Sequence, residues 1–282
     1  MPTHVLFVQA LTPLHAGTGQ GIGVIDLPIA REKATGIPYL PGSSLKGSLR
    51  DACTDLAARN TVFGPETQNA SDYAGAAHFG DARLVLLPVR SAAGTFAYVT
   101  SPYLLSRLAR DVQEIGLTTP AAQTIAAKNA CLVEANSALK LQIGNTTTVV
   151  LEDLDLLPTT ENTWAAWFDT HVQAGIGQRL CIVHDDVMSY LLETATEVVA
   201  RIAIDNETKT VQRGALWYEE SLPTESLLVS LVVTQTSRNV KNDPHRDVTA
   251  VIRDLCLTAK QFGGKATVGR GMCQLKLVGG AP

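Results

Sequence analysis

Between residues 4 and 12 the chain is almost wholly apolar, and Pro13 ends the run, a pattern that predicts a strand entering a turn. From Ser43, the string SSLKGSLRDACTDLAAR sets Leu45, Leu49, Ala52 and Leu56 on one helical face behind a serine N-cap, which predicts a single helix. Residues 83–89 (RLVLLPV) and 95–99 (TFAYV) read as strands around a turn containing Gly94, and Pro102 opens a helix reaching about Glu114. A further helix is predicted from an Asp185 cap through Glu197, after which residues 199–204 and 214–218 flank the turn-rich DNETKT as a hairpin. Residues 226–233 predict a strand, 247–262 a helix and 272–278 a closing strand. Only residues 115–178 lack a sustained period, and their alanine-rich, strand-like and polar pieces suggest an insertion on a compact core. This order predicts one α+β domain over residues 1–282, with a ferredoxin-like sheet and helices on one of its faces. That fold hosts many unrelated functions, including enzymes, ligand-binding regulators and RNA binders, so function has to come from the residues.

Composition narrows the class. At 282 residues and 45% hydrophobic content the chain can bury a full core. Its longest apolar runs, such as residues 227–233, fall far short of the ~18 residues needed to cross a bilayer. The first residues show no basic region ahead of an apolar one, so the expectation is a cytoplasmic protein with no membrane partner. Cys53, Cys131, Cys181, Cys256 and Cys273 are scattered without a Cys-x-x-Cys pair, which predicts buried free thiols.

The net charge of −4 hides an uneven distribution. Residues 1–59 hold 5 Lys/Arg against 4 Asp/Glu, residues 60–237 hold 10 against 20, and residues 238–282 hold 8 against 3. Any phosphate binding therefore belongs to the two ends of the chain. Lys46 and Arg50, four apart near a helix start, add cations where free amides and the helix dipole already favour an anion, with Ser44 beside them. At the other end, the string FGGKATVGRGMC packs Gly264, Lys265, Gly269, Arg270 and Gly271 between a helix and a strand. Gly264 and Gly269 have Walker-A spacing, yet Arg270 and Gly271 stand where Lys and Ser/Thr are required, which disfavours a P-loop. The glycine string GTGQGIG of residues 17–23 lacks the spacing of a dinucleotide fingerprint. What remains is a glycine-rich turn in the C-terminal string whose amides and cations can lie along a polynucleotide backbone, or a tight helix-to-strand connection that needs its glycines only for geometry.

Three runs, LTPLHAGTGQGIGVIDLPIAREKATGIPYLPGSSLKGSLRD, then GDARLVLLPVRS with TFAYVTSP, and the closing FGGKATVGRGMC, together resemble the backbone subunit of type III-B CRISPR effector complexes, the Cmr branch of the RAMP superfamily. The resemblance spans both ends and the middle of the chain and leaves mainly residues 115–178 outside it. It implies an RRM-like palm with a thumb β-hairpin, here within residues 199–222, and copies stacked head to tail along a CRISPR guide RNA with other subunits of the Cmr complex. It also implies a metal-dependent endoribonuclease that cuts the complementary target RNA at regular intervals, using Mg²⁺ or Mn²⁺. By the same resemblance, VIDLPI places the key acidic residue at Asp26, LTPLH supplies His15, and GALWYEESLP supplies Glu219 beside the thumb. The family's aromatic two positions after that glutamate is Ser221 here.

The chemistry suits these residue types. An RNA substrate carries its own nucleophile, the 2′-hydroxyl, so a cutting protein has only to align it and neutralise charge on the departing oxygen. Asp26 on a glycine-flanked loop can hold a divalent ion or accept the 2′-hydroxyl proton, and the imidazole of His15 can donate to the leaving oxygen or bond a phosphate. Ser44, Lys46, Arg50 and the Gly264–Gly271 string are the expected guide contacts. With 5% aromatic residues, backbone and shape recognition should dominate over base stacking. A subunit that only coats the guide RNA without cutting is the competing expectation.

Overall fold

Strand β1 (Thr3–Ala10) is buried along nearly its whole length, and its alternation explains why. Leu6, Val8 and Ala10 enter one hydrophobic cluster, while Val5 and Phe7 enter a second on the opposite face. The structure is a computed structural model describing residues 1–18, 25–69, 72–237 and 246–279. Its further strands are β2 (Tyr39–Leu40), β3 (Ala77–Phe79), β4 (Ala82–Arg90), β5 (Phe96–Thr100), β6 (Ala130–Val133), β7 (Lys140–Ile143), β8 (Thr146–Leu151), β9 (Leu154–Thr159), β10 (Leu180–Val183), β11 (Glu197–Ile204), β12 (Val211–Ser221), β13 (Leu227–Thr234), β14 (Lys260–Gln261) and β15 (Met272–Gly279). The helices are α1 (Gly42–Ala52), α2 (Leu56–Phe63), α3 (Pro102–Gln113), α4 (Trp164–His171), α5 (Asp185–Thr194) and α6 (Val248–Leu255).

The chain is mixed α/β, with one large sheet in the order β14-β15-β1-β13-β4-β5-β10-β6-β9-β8-β7 and β2 and β3 pairing at its side. β1 runs antiparallel to both β13 and β15, and β13 antiparallel to β4. Helices cover both faces of the sheet, not one. Leu45 and Leu49 of α1, Val62 of α2 and Ile252 of α6 join the cluster of Leu6 and Val8, whereas Leu105 and Leu108 of α3 and Trp164 and Phe168 of α4 join that of Val5 and Phe7. A central strand with apolar residues on both faces needs both covers, and the lone periodic face of each helix does not say which side it will take. Strands β6 to β9, from the segment that lacked a period, extend the sheet beyond β10.

Several predicted ends move, each for a local reason. The first helix starts at Gly42 with Pro41 as its N-cap and no side-chain cap, and the Gly42 amide donates to Asp81 Oδ1 at 2.8 Å. The predicted helix breaks before Leu56, because Asp55 accepts the amides of Ala57 and Ala58 at 2.9 and 3.1 Å and so starts α2. His184, not Asp185, caps α5 through Nδ1; the Asp185 carboxylate instead accepts the Tyr103 amide in the first turn of α3. That helix stops at Thr194, and Glu197 opens β11. The helix behind Asp247 ends at Leu255, since Lys260 and Gln261 pair with β15. Four cysteines are buried, Cys256 is half-buried, and all five are free thiols. Among the described residues no helix is long and apolar enough to cross a membrane.

Candidate functional site

β11 and β12 form a two-stranded sheet of their own, paired from Glu197↔Ser221 to Ile204↔Val211. The inner end of β12 is where the chain's distant pieces converge. Leu14 bridges Leu222 with hydrogen bonds in both directions, and Leu27 bridges Glu219, its amide donating to Tyr218 O and its carbonyl accepting from the Glu220 amide. The two flanks of the first glycine string are zipped together, Ala30 N–H to Ala16 O at 2.7 Å and Thr18 N–H to Pro28 O at 3.3 Å. Residues 19–23 of that string lie outside the described residues.

Asp26 is exposed between these bridges, and its Oδ2 accepts the Tyr218 amide at 2.8 Å. It does not pair with Arg31. That guanidinium donates to Glu220 Oε1 at 2.5 Å and to Gly36 O at 3.0 Å. His15 is buried, and its Nδ1 lies 2.7 Å from the Glu220 carbonyl. A carbonyl only accepts, so Nδ1 carries the proton, and in the neutral ring Nε2 is the acceptor.

Glu219 is 4% exposed and takes Lys265 Nζ at 2.7 Å and the Trp217 indole N–H at 2.8 Å, with Arg201 Nε at 3.4 Å. Burial alone would raise its carboxyl, but the Lys265 ammonium, the indole N–H and the Arg201 guanidinium outweigh it and bring the pKa down to about 2. Glu219 is therefore held as a carboxylate in the neutral range, with two cations gathered on it. Because its folded pKa lies below the ordinary value of 4.5, its share of stability is complete above pH 4.5 and is lost as the pH falls towards about 2. Urea titrations at a series of acid pH values are expected to show this loss in the wild type and a flatter profile in Glu219→Gln.

The second glycine string wraps the same place. Gly264 N–H donates to His15 O and Gly271 N–H to Pro13 O, both at 2.9 Å, and Phe262 N–H returns to Gly271 O at 2.8 Å. Gly263 has φ +72°, and a Cβ there would stand 2.3 Å from the His15 carbonyl oxygen. Lys265 reaches Glu219, and the largely buried Arg270 donates to Ser221 Oγ at 2.9 Å with Glu197 at 4.0 Å. The structure thus joins His15, Asp26, Glu219, Gly264, Lys265, Arg270 and Gly271 around one end of β12. Gly269, also at positive φ, is the open tip of that string.

Ser44, Lys46 and Arg50 stand apart on α1, with no hydrogen bond or ion pair to this cluster among the described residues. Arg50 donates to the Gly64 carbonyl and to Asn60 Oδ1, tying α1 to the end of α2. Trp217, Glu220, Arg201, Arg31 and Thr196 belong to the cluster and were not found from sequence. The adjacent acidic pair in WYEES was the available signal, since two carboxylates next to each other on a strand face opposite ways and need separate partners.

For a metal, the donors are few: the described residues contain no group of three or more His, Cys, Asp or Glu side chains able to hold an ion. Asp26 by itself fits a hydrated divalent ion held by one carboxylate together with substrate phosphates, and does not fit a closed protein-built site.

Residues 7–274 match the RAMP superfamily. The chain is 36% identical to the CRISPR system Cmr endoribonuclease Cmr4 of Pyrococcus furiosus, over 98% of this chain and 96% of that protein. Its fold is similar to that of oligomeric Cmr4 from Pyrococcus furiosus, with TM-score 0.73, 26% identity and 100% of both chains covered. A chain of the type III-B Cmr-beta assembly bound to cognate target RNA shares the fold with TM-score 0.75 at 22% identity, over 98% of this chain and 96% of that one.

Proposed function

The chain belongs to the RAMP superfamily, and from that membership we propose that it is the guide-RNA-binding backbone subunit of a type III-B CRISPR effector complex and an endoribonuclease that cuts the RNA paired to the guide. The observation that carries this reading is the exposed Asp26, held by the Tyr218 amide at the root of a hairpin, in a chain alike over nearly its full length to a named Cmr endoribonuclease. The palm is ferredoxin-like, a reading supported by strand order β15-β1-β13-β4 with α1 and α6 in the connections. Residues 199–222 are the thumb and residues 115–178 an insertion. Copies stack head to tail, in keeping with the oligomeric relative.

In the cut, the 2′-hydroxyl attacks its own phosphate in line, forming the cyclic ester as the 5′-oxygen departs. Asp26 would hold a divalent ion, Mg²⁺ or Mn²⁺, which would offset charge on the phosphate oxygens, or it accepts the 2′-hydroxyl proton. His15 accepts at Nε2 while neutral and donates there only as the imidazolium. Guide phosphates lie along α1 and the Gly264–Gly271 string. The test is to assemble the purified chain on a guide RNA and add end-labelled complementary RNA with Mg²⁺. Cuts at a regular interval, abolished by excess chelator, are expected; assembly without cutting sinks the catalytic half and leaves a coat protein.

Lys46→Ala is expected to weaken guide binding for every guide sequence and to reduce the slope of log affinity against log salt by about 1, because a phosphate contact releases counterions without reading bases. Arg50→Ala should do so only together with lower stability, given its bonds to Gly64 and Asn60. Filter binding across a salt series decides between these outcomes.

A further inference from the structure

We infer that Glu220 is a positioning residue for the cut: it sets the place of Asp26 and the orientation of His15. The inference rests on the function proposed above. Glu219 and Glu220 are consecutive on β12, both nearly fully buried, and their side chains serve different loops. Glu219 gathers Lys265, Trp217 and Arg201. Glu220 accepts the Ile29 amide at Oε2 (3.0 Å), and at Oε1 the guanidinium of Arg31 (2.5 Å) and the hydroxyl of Thr196 (2.9 Å).

Its main chain is engaged as well. The Glu220 amide donates to Leu27 O at 3.0 Å, and its carbonyl takes the Nδ1 proton of His15 at 2.7 Å. Asp26 therefore sits on a segment fastened at Leu27 by the Glu220 backbone and at Ile29 and Arg31 by the Glu220 carboxylate. Among the described residues, two partners of that carboxylate belong to the segment bearing Asp26, and a third, Thr196, immediately precedes β11. Its loss would leave the Ile29 amide without an acceptor in a buried place and free the segment to shift against Tyr218. Displacement of a reacting group by about 1 Å can cost about 100-fold in rate.

Glu220→Gln keeps the size of the side chain but has one acceptor oxygen where three donors converge. In guide-loaded assemblies, its single-turnover cleavage is expected to fall about 10- to 100-fold, with target affinity within about twofold of wild type. Added to Asp26→Ala, it should cause no further loss, since the substitution alters the carboxylate that places Asp26 and leaves the carbonyl that orients His15 unchanged. Hydrogen exchange should quicken at residues 25–31 and at Tyr218 while β1, β13 and β15 keep their protection. Thr196→Val, which removes one bond and leaves no charge, is the milder variant if Glu220→Gln folds poorly, with a loss of about threefold expected. Wild-type rates in Glu220→Gln, a loss additive with Asp26→Ala, or protection lost across the whole sheet would each overturn the role. A wild-type assembly that does not cut overturns the functional reading and this role together; a cutting wild type with an equally active Glu220→Gln overturns this role alone.

Discussion

Asp26→Ala, assembled on guide RNA, is expected to cut complementary RNA at least about 100-fold more slowly than wild type while binding guide and target as before. The side chain is exposed and its contact to described residues is the bond from the Tyr218 amide, so truncation removes a carboxylate and little packing. The freed amide can turn to water, which keeps the stability change to about 1 kcal/mol or less. Asp26→Asn separates charge from shape: its amide oxygen can still accept from Tyr218, so a loss as deep as that of alanine assigns the effect to the charge. Gel analysis of cleavage beside filter binding of the same assemblies checks both. A parallel loss of binding and cleavage would make Asp26 a structural residue.

The second large effect is expected in the glycine string, where two positions with nearly the same φ should respond differently. Gly271 has φ +78° and a Cβ there would lie 1.9 Å from the Phe262 carbonyl oxygen, while Gly269 has φ +77° and nothing within 4 Å. Gly269→Ala then carries only the left-handed strain, about 1 kcal/mol. Gly271→Ala must also break the Phe262–Gly271 pairing and pull on the Pro13 contact, on the order of 3 kcal/mol or more. Urea unfolding of the two variants measures the difference directly. Guide binding and cleavage should suffer in Gly271→Ala as well, because the same turn brings Lys265 to Glu219 and the Gly264 amide to His15. Equal destabilisation by the two alanines would mean that the close approach to Phe262 does not constrain the loop.

Much of the fold was legible because its signals are local. The apolar runs around β1, β4, β5 and β13, the proline that opens α3 and the DNETKT turn between β11 and β12 each express a preference of a few neighbouring residues, and the elements form there. Helix ends were less legible. Asp55 and Asp185 could each cap the helix beside them, and only packing shows that Asp55 does so while Asp185 serves Tyr103 of another helix. Of strands β6 to β9 only the β8 stretch reads as strand-like; the others have too little pattern to announce themselves, and the edge at β10 offers the group its hydrogen bonds.

Of the candidate site, the sequence by itself determined which groups are present: the carboxylates at Asp26 and Glu219, the imidazole of His15, the cations of the second glycine string, and glycines where the chain must turn tightly. Only the tertiary structure decided who meets whom. Asp26 finds the Tyr218 amide 192 positions away, and Glu220 finds Ile29 and Arg31 across 191 and 189. It also decided that Lys265 and Arg270 answer to Glu219, Ser221 and Glu197, and that the Glu219 carboxyl is held well below the usual carboxylate range. A residue's type sets what it can donate or accept, but its partner is set by sheet register and loop closure, which depend on the whole chain at once.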